Sequence, residues 1–404
     1  MNQGQALQGL RVLEFGDYIS AAYCTRLLAH YGAEVIKIER PPAGDLARRH
    51  GPFPNDGPHP EKSGLFLLLN AGKLGVTLDP ETSTGRALLL DLVRQADVLV
   101  ENHRPDEMER WDLTYETLGA VNPSLVMTSI TTFGQSGPNR DRKAYAITAS
   151  AASGVAFRIG DPARQPLTMP YDRADYWGGM NAATATMLAI MARWKSGRGQ
   201  QVDISTADCL NTYNNPLDYL DYVDTGYYPR RNGHRNPAIY PFVLLPCKDG
   251  YFGLIVGNDR QWARFLEVMG NPAWANDPRY KDRNAMDLQR KEELDNLIKP
   301  WLAQRTKAEL WEIFRKNRIP WHPVQTVDEL LEWEQLKARD YWDRTEHPDA
   351  GAWTLPGAPF KLSETPATPL SPAPRLGADN TRVYCELLGL SELDMARLWR
   401  TSII

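Results

Sequence analysis

The sequence predicts an α/β protein, with a large domain on an open, mainly parallel sheet followed by a small α/β domain. Three observations predict it. Short, almost continuously apolar runs alternate with helical stretches through the first two hundred residues, the pattern of strands buried on both faces by helices. At 211–237 the composition shifts to Tyr, Asn, Asp and Arg, after which a second alternation begins. The 404 residues also exceed what one ordinary core accommodates.

The elements follow in order. Arg11–Phe15 (RVLEF) reads as a strand, Ala21–Tyr31 as a helix and Val35–Glu39 (VIKIE) as a second strand. An irregular Pro/Gly-rich stretch at 41–60 leads to Gly75–Asp79 (GVTLD), a helix over 82–95 and the strand Val98–Glu101. Ser124–Ile130 and Val202–Ser205 read as further strands, with a helix at 180–194 between them. In that helix Met187, Ile190, Met191 and Trp194 fall at i, i+3, i+4 and i+7, which predicts a buried face. The predicted division is a large domain at 1–210, a linker at 211–237 and a small domain at 238–328. A Pro-rich return linker and a C-terminal segment packing on the large domain complete it at 329–404. In the small domain, strands are expected at 239–246 and 251–256 and helices at 259–269, 287–303 and 307–316.

Composition narrows the function. Lys plus Arg is 46 and Asp plus Glu is 50, a net charge of −4, which argues against a nucleic-acid partner. No apolar run reaches the ~18–20 residues of a membrane helix, and the first residues lack a secretory pattern, so a cytoplasmic protein with no membrane partner is expected. The four cysteines are far apart with no C-x-x-C, which implies neither a disulfide framework nor a metal cage. The first strand–helix turn, Gly16–Ala22, holds one glycine and no G-x-G-x-x-G. The backbone there cannot approach a pyrophosphate as a dinucleotide site requires.

Several phrases, in order, carry a resemblance. They are LQGLRVLEFGDYISAAYCTRLLAHYGAEVIKIERPPAGDLAR at 7–48, NAGKLGVTLD at 70–79, ADVLVENHRP at 96–105 and NPSLVMTSITTFGQSGP at 122–138. PYDRADYWGG at 170–179, SGRGQQVDIS at 196–205 and LGADNTRVYCELLGL at 376–390 follow. Together they resemble the class III CoA-transferases of the CaiB/BaiF type, relatives of formyl-CoA and carnitine CoA-transferases. The resemblance implies a Rossmann-like large domain and a ring-shaped chain that interlocks with a second copy as a homodimer. It implies acyl-CoA and small carboxylic acids as substrates, with coenzyme A entering as substrate and no permanently bound cofactor or metal.

By the same resemblance Asp175 is the nucleophile. It would pass through an aspartyl mixed anhydride and an aspartyl-CoA thioester, so that CoA moves without hydrolysis. Read from the residues, a carboxylate near a helix N-terminus is favoured in its ionised form. Gly178 and Gly179 would allow close approach of a thioester and offer N–H groups to an oxyanion. Asp172, three residues earlier, is the competing carboxylate. Matching positions for CoA are Arg40, Lys73, Asn102, His103, Arg110, Lys143 and Tyr145, with the long cations suited to phosphates. Candidates for the acyl and acceptor site are Tyr18, Ile19, Tyr171, Tyr176, Trp177, His234 and Arg235.

The sequence departs from the family pattern at several points. Ala21-Ala22 stands where a Gly-Pro is usual, and His103 where a phenylalanine is common. The region matching the glycine-rich loop reads Arg230-Arg231-Asn232-Gly233-His234-Arg235-Asn236, a basic segment suited to the second carboxylate of a diacid or another anionic group, or equally to a solvated turn. Tyr171, Tyr176 and Trp177 offer aromatic faces suited to a quaternary ammonium, but core packing is the commoner use of such residues. The expected acceptor is therefore a small organic carboxylate, with dicarboxylates or hydroxy acids slightly ahead of betaines. Two alternatives share the fold: an α-methylacyl-CoA racemase and a CoA-binding protein without turnover. Lys143–Thr148 holds neither the His nor the Asp a racemase needs there, and an intact Asp175 argues against the second.

Overall fold

The computed structural model describes residues 4–214, 216–236, 239–283 and 286–404. Residues 215, 237 and 238, on which parts of the expected linker and small domain fall, lie outside the described residues. The chain divides into two compact units, one of 1–155, 168–220 and 337–404, the other of 156–167 and 221–336.

The first unit holds a six-stranded, all-parallel sheet. Its strands are β1 (Arg11–Phe15), β2 (Glu34–Glu39), β3 (Lys73–Thr77), β4 (Val98–Glu101), β5 (Val126–Thr131) and β6 (Gln201–Ser205). Their spatial order is β3-β2-β1-β4-β5-β6. Alternate side chains serve opposite faces. Val12, Val35, Val98 and Val126 pack under the Ser20–His30 and Arg173–Ser196 helices, while Leu13, Ile36, Leu99 and Met127 face the Ser83–Arg94 helix and the C-terminal segment. That two-sided burial explains why the strands read as unbroken apolar runs.

The C-terminal segment finishes the exposed edge of β3. Asp379 accepts the Gly75 N–H at 2.7 Å and Asn380 accepts the Thr77 N–H at 2.9 Å. The Tyr384 hydroxyl, fully buried, donates to Thr77 O at 2.8 Å. Backbone donors that would otherwise template another strand are thereby closed off. Within the preceding stretch, expected as an extended Pro-rich arm, Trp342–His347 and Gly351–Pro356 pair as an antiparallel hairpin. Its alternation was masked by the prolines on either side.

Two sequence expectations need correction. The long helix begins at Arg173, not at 180, so it takes in the whole Asp175-to-Gly179 segment. Its buried side is made of small residues, Gly178, Gly179, Ala182, Ala183, Thr186 and Ala189, together with Ile190. Met191 and Trp194 are exposed, as is Leu188. Close helix packing demands the small residues: a Cβ on Gly179 would lie 2.5 Å from Ser20 O. Within the 211–237 stretch, read as a linker plus loop, Pro216–Thr225 forms a helix.

The second unit packs the antiparallel strands β7 (Phe242–Cys247), β8 (Gly250–Ile255) and β9 (Trp321–Pro323) against three helices, Asp259–Val268, Leu288–Leu302 and Lys307–Lys316. Leu245, Phe252, Phe265, Leu294 and Phe314 form its core.

One feature of the sheet interior is ionic. Glu14 on β1 lies fully buried between Lys37 on β2 and Lys73 on β3, each at 2.6 Å, and Lys37 continues to Asp45 at 2.6 Å. Thr25 donates to Glu14 at 2.6 Å, and Lys73 also reaches Asn70 and Ala22 O, both at 2.9 Å. Burial alone would push the Glu14 carboxyl up, but the two ammonium groups hold it down at about 2. Its contribution to stability is therefore full above the ordinary value of 4.5 and is lost as pH falls through about 2. Glu14→Gln leaves two buried lysines without their shared counter-charge. We expect a loss of about 3–5 kcal/mol in urea unfolding, well beyond an ordinary surface change.

Candidate active site

In the observed strand order, β1 and β4 are neighbours from which the connections leave in opposite directions. A crevice therefore opens at their carboxyl ends, the usual ligand position in such sheets. A cavity of about 240 Å³ lies there. The turn after β1 contributes Asp17, Tyr18 and Ile19, and the turn after β4 contributes Asn102, His103 and Arg104. The start of the long helix brings Asp172 and Asp175, and Tyr145 closes one side.

Asn102 ties the two turns together. Its Nδ2 donates to Asp17 O at 2.7 Å and to Ser20 Oγ at 2.9 Å, and its Oδ1 accepts the Asp17 N–H at 2.8 Å. His103 is half-buried, with its ring 4.5 Å from Phe15 and 5.0 Å from Trp111. Burial pushes its imidazole down to about 4, so it is a neutral wall at physiological pH, and its Nε2 has no hydrogen-bond partner.

Asp175 occupies the first turn of the helix. The helix terminus was expected to favour its ionised form, but two effects prevail over it. Burial and, secondarily, the Asp172 charge push Asp175 up to about 7, and among the described residues no cation opposes them. Gly178 and Gly179 sit inside the helix, where backbone N–H groups belong to the helical ladder, not to an oxyanion. Their lack of side chains serves packing: a Cβ on Gly178 would lie 2.6 Å from Thr206 Oγ1. Tyr176 packs edge-on against Tyr23 at 5.0 Å and Trp177 stacks on Tyr213 at 5.7 Å. Tyr171 is 93% exposed.

The expected phosphate cations separate into two groups. Arg40 and Arg110 lie over Trp111, 5.2 and 5.6 Å from the ring centroid, with outward-facing guanidinium groups. Glu81 links the cluster, 2.5 Å from Arg40 and 3.1 Å from the Trp111 Nε1 that donates to it. Lys143 is exposed beside the Tyr145 ring, 5.8 Å from its centroid. Lys73 corrects the expectation of a phosphate contact, because its amine is fully buried on Glu14. Trp111 and Glu81 were missed by sequence reading, although a tryptophan directly after Arg110 was the available signal.

His234 and Arg235 belong to the second unit, where they line a different cavity of about 660 Å³ with Phe242, Leu244 and Trp321. Their polar groups are already engaged. The buried Asp295 accepts from Arg235 Nε at 2.8 Å and from the Tyr240 hydroxyl at 2.8 Å, with His234 Nε2 at 3.1 Å. Arg231 likewise donates to the carbonyls of Phe157, Asp161 and Arg164. The expected reading of this segment as a diacid receptor therefore fails at His234, Arg235 and Arg231.

Comparison with known proteins places this geometry. The profile of CoA-transferase family III matches residues 7–380. The chain is 32% identical to the succinyl-CoA–D-citramalate CoA-transferase of Chloroflexus aurantiacus, with 98% of each chain covered. It is 32% identical to the succinate–glutarate CoA-transferase of Agrobacterium fabrum, with 96% of each covered. A formyl-CoA:oxalate CoA-transferase of Bradyrhizobium is also 32% identical, over 98% of this chain and 96% of that one. A crystal structure of a CaiB/BaiF family protein from Brucella suis superposes with a TM-score of 0.85 at 29% identity, covering 95% of this chain and 100% of that one. The chain belongs to CoA-transferase family III and is an enzyme of that class, acting on acyl-CoA thioesters and carboxylates.

Proposed function

We propose that Asp175 is the nucleophile of CoA transfer. A carboxylate oxygen attacks the thioester carbonyl, the C–S bond breaks, and CoA leaves as its thiolate from an aspartyl mixed anhydride. The thiolate then attacks the aspartyl carbonyl, releasing the donor's carboxylate and leaving an aspartyl-CoA thioester. The acceptor carboxylate attacks that thioester to form a second anhydride and free the thiolate. Attack of the thiolate on the acceptor's carbonyl yields the new acyl-CoA and restores Asp175. One observation carries this reading: Asp175 faces the cavity at the sheet's carboxyl edge, and among the described residues no cation quenches it. A poorly solvated carboxylate near pH 7 is both ionisable and more nucleophilic than one in water.

Asn102 fits a positioning role, holding the β1 turn at the cavity, and His103 fits a neutral aromatic wall. Arg40 and Arg110 flank Trp111 on the exposed surface, an arrangement suited to phosphate groups and a stacked ring. In this reading residues 1–210 form the CoA-binding domain and 238–328 the small domain, in an enzyme of the cytoplasm. A second copy fits the exposed stripe of Met180, Leu188, Met191 and Trp194, which spans about 120° of one helix. Among the described residues no helix is long and apolar enough to cross a membrane.

Four outcomes test the assignment. Intact-protein mass after mixing with acyl-CoA donors is expected to show a CoA-sized or acyl-sized adduct that hydroxylamine converts and Asp175→Ala lacks; turnover retained in that variant would sink the nucleophile. Because attack requires the ionised form, adduct formation should rise about tenfold per pH unit below about 7 and level above it. The same raised carboxyl costs stability, since between its ordinary 3.8 and about 7 the folded state holds a proton the unfolded chain has lost. Asp175→Asn should therefore unfold later than wild type at pH 8, by on the order of 1–4 kcal/mol, with the gain shrinking at pH 4. Finally, Arg40→Ala with Arg110→Ala should weaken CoA binding about tenfold or more by calorimetry. An unchanged affinity removes both from the site.

A further inference from the structure

The charge around the proposed nucleophile points to which acids it serves. Asp172 occupies the N-cap position of the long helix, yet its side chain makes no capping hydrogen bond. An aspartate there ordinarily accepts from the free N–H groups of the first turn. Asp172 instead accepts the Tyr18 hydroxyl at 2.6 Å. Tyr18 is itself held for this contact. Its φ is +67°, a strained value for an aromatic residue. Its N–H is bound by Asp45 Oδ1 at 3.0 Å and Asp17 Oδ1 at 3.1 Å. Asp45 is in turn anchored on the buried Lys37.

The rest of the cavity does not neutralise this carboxylate. Among its lining residues the one permanent cation is Arg104, whose guanidinium lies 3.3 Å from Asp106 and 3.4 Å from Glu107 and donates to Asp141 O at 3.1 Å. Asp17 and Glu107 add further acid groups to the lining. Once Asp175 is acylated its own charge is gone, whereas Asp172 still lines the same cavity.

We propose that Asp172, fixed by Tyr18, is a specificity-determining carboxylate that rejects substrates with a second negative charge and selects monocarboxylic acids with a neutral or cationic chain. This rests on Asp175 as the acceptor of the acyl group. It separates the protein from the relatives named for succinate, glutarate and oxalate, all diacids. A like charge within about 6 Å in a partly buried site suffices for a discrimination on the order of a hundredfold.

The test compares butyryl-CoA with succinyl-CoA, which match in chain length and differ by one carboxylate, each with acetate as acceptor. Wild type should favour butyryl-CoA in kcat/KM by at least about tenfold, and trimethylammoniobutyryl-CoA should also be used. Asp172→Asn should shrink the butyryl preference about tenfold or more, chiefly by improving succinyl-CoA. Asp172→Glu, which keeps the charge, should retain the preference and guards against a folding artefact in the first variant. Wild-type preference for succinyl-CoA, or an unchanged ratio in Asp172→Asn, overturns the selectivity while leaving the transfer chemistry standing. Absence of any aspartyl adduct or CoA transfer from all three donors overturns the nucleophile assignment, and this inference with it.

Discussion

The buried carboxylate of Glu14 is the constraint on which the first unit is organised. Two lysines from neighbouring strands can enter an apolar sheet interior only with a counter-charge placed between them, and β1 supplies it. The consequence reaches past the core. Lys37 carries the ion pair on to Asp45, and Asp45 holds the N–H of Tyr18 at the first residues beyond the turn of β1. The strained tyrosine at the cavity is thus attached to the most deeply buried charges of the sheet. Strain of that kind persists only when its surroundings determine it several times over, and here three carboxylates and one lysine do so.

Strand order then decides where the cavity forms. Because β1 lies beside β4 and not beside β3, the turns carrying Gly16–Ser20 and Asn102–Arg104 lie side by side at the carboxyl edge of the sheet. Asn102 bridges them with three hydrogen bonds to the neighbouring turn. The long helix closes the third side, and it comes near enough only because glycine and alanine line its inner face. The same requirement sends Leu188, Met191 and Trp194 outward. An interior that needs small residues leaves the large apolar ones on the surface.

The α/β class and all six strands of the parallel sheet were legible because short continuous apolar runs are what strands buried on both faces require. Their ends were less so: β3 begins at Lys73, a lysine that a hydropathy pattern assigns to solvent until its partner Glu14 is known. The helix face was misread for a related reason. Spacing identified a stripe of large apolar residues, but periodicity does not say whether a stripe faces the core or the surface, and the adjacent run of Gly and Ala carried that information. At the site, phrase matching indicated Asp175, Asn102 and His103, which meet at one cavity. It did not single out Asp17, Asp45 or Trp111, whose relevance comes from contacts between segments distant in sequence. The basic segment around His234 shows the converse. Charge in a sequence is not charge available to a ligand, because one buried aspartate from a helix 60 residues away can absorb it.

The proposed nucleophile illustrates why environment outweighs local position. A first-turn aspartate gains a modest stabilisation of its anion from the helix terminus, worth less than what burial and a neighbouring carboxylate remove. Asp172 could have relieved this by turning to cap the helix, where the free N–H groups would have spread its charge. Bound to Tyr18 it stays directed at the cavity, so it raises Asp175 and shapes the field met by any incoming acid. One side-chain orientation thus links the basicity of the attacking group to the choice of what it attacks. An arrangement that gained reactivity from a second carboxylate would inherit a bias against anionic substrates, unless a cation elsewhere in the cavity cancelled it. Arg104, already committed to Asp106 and Glu107, does not.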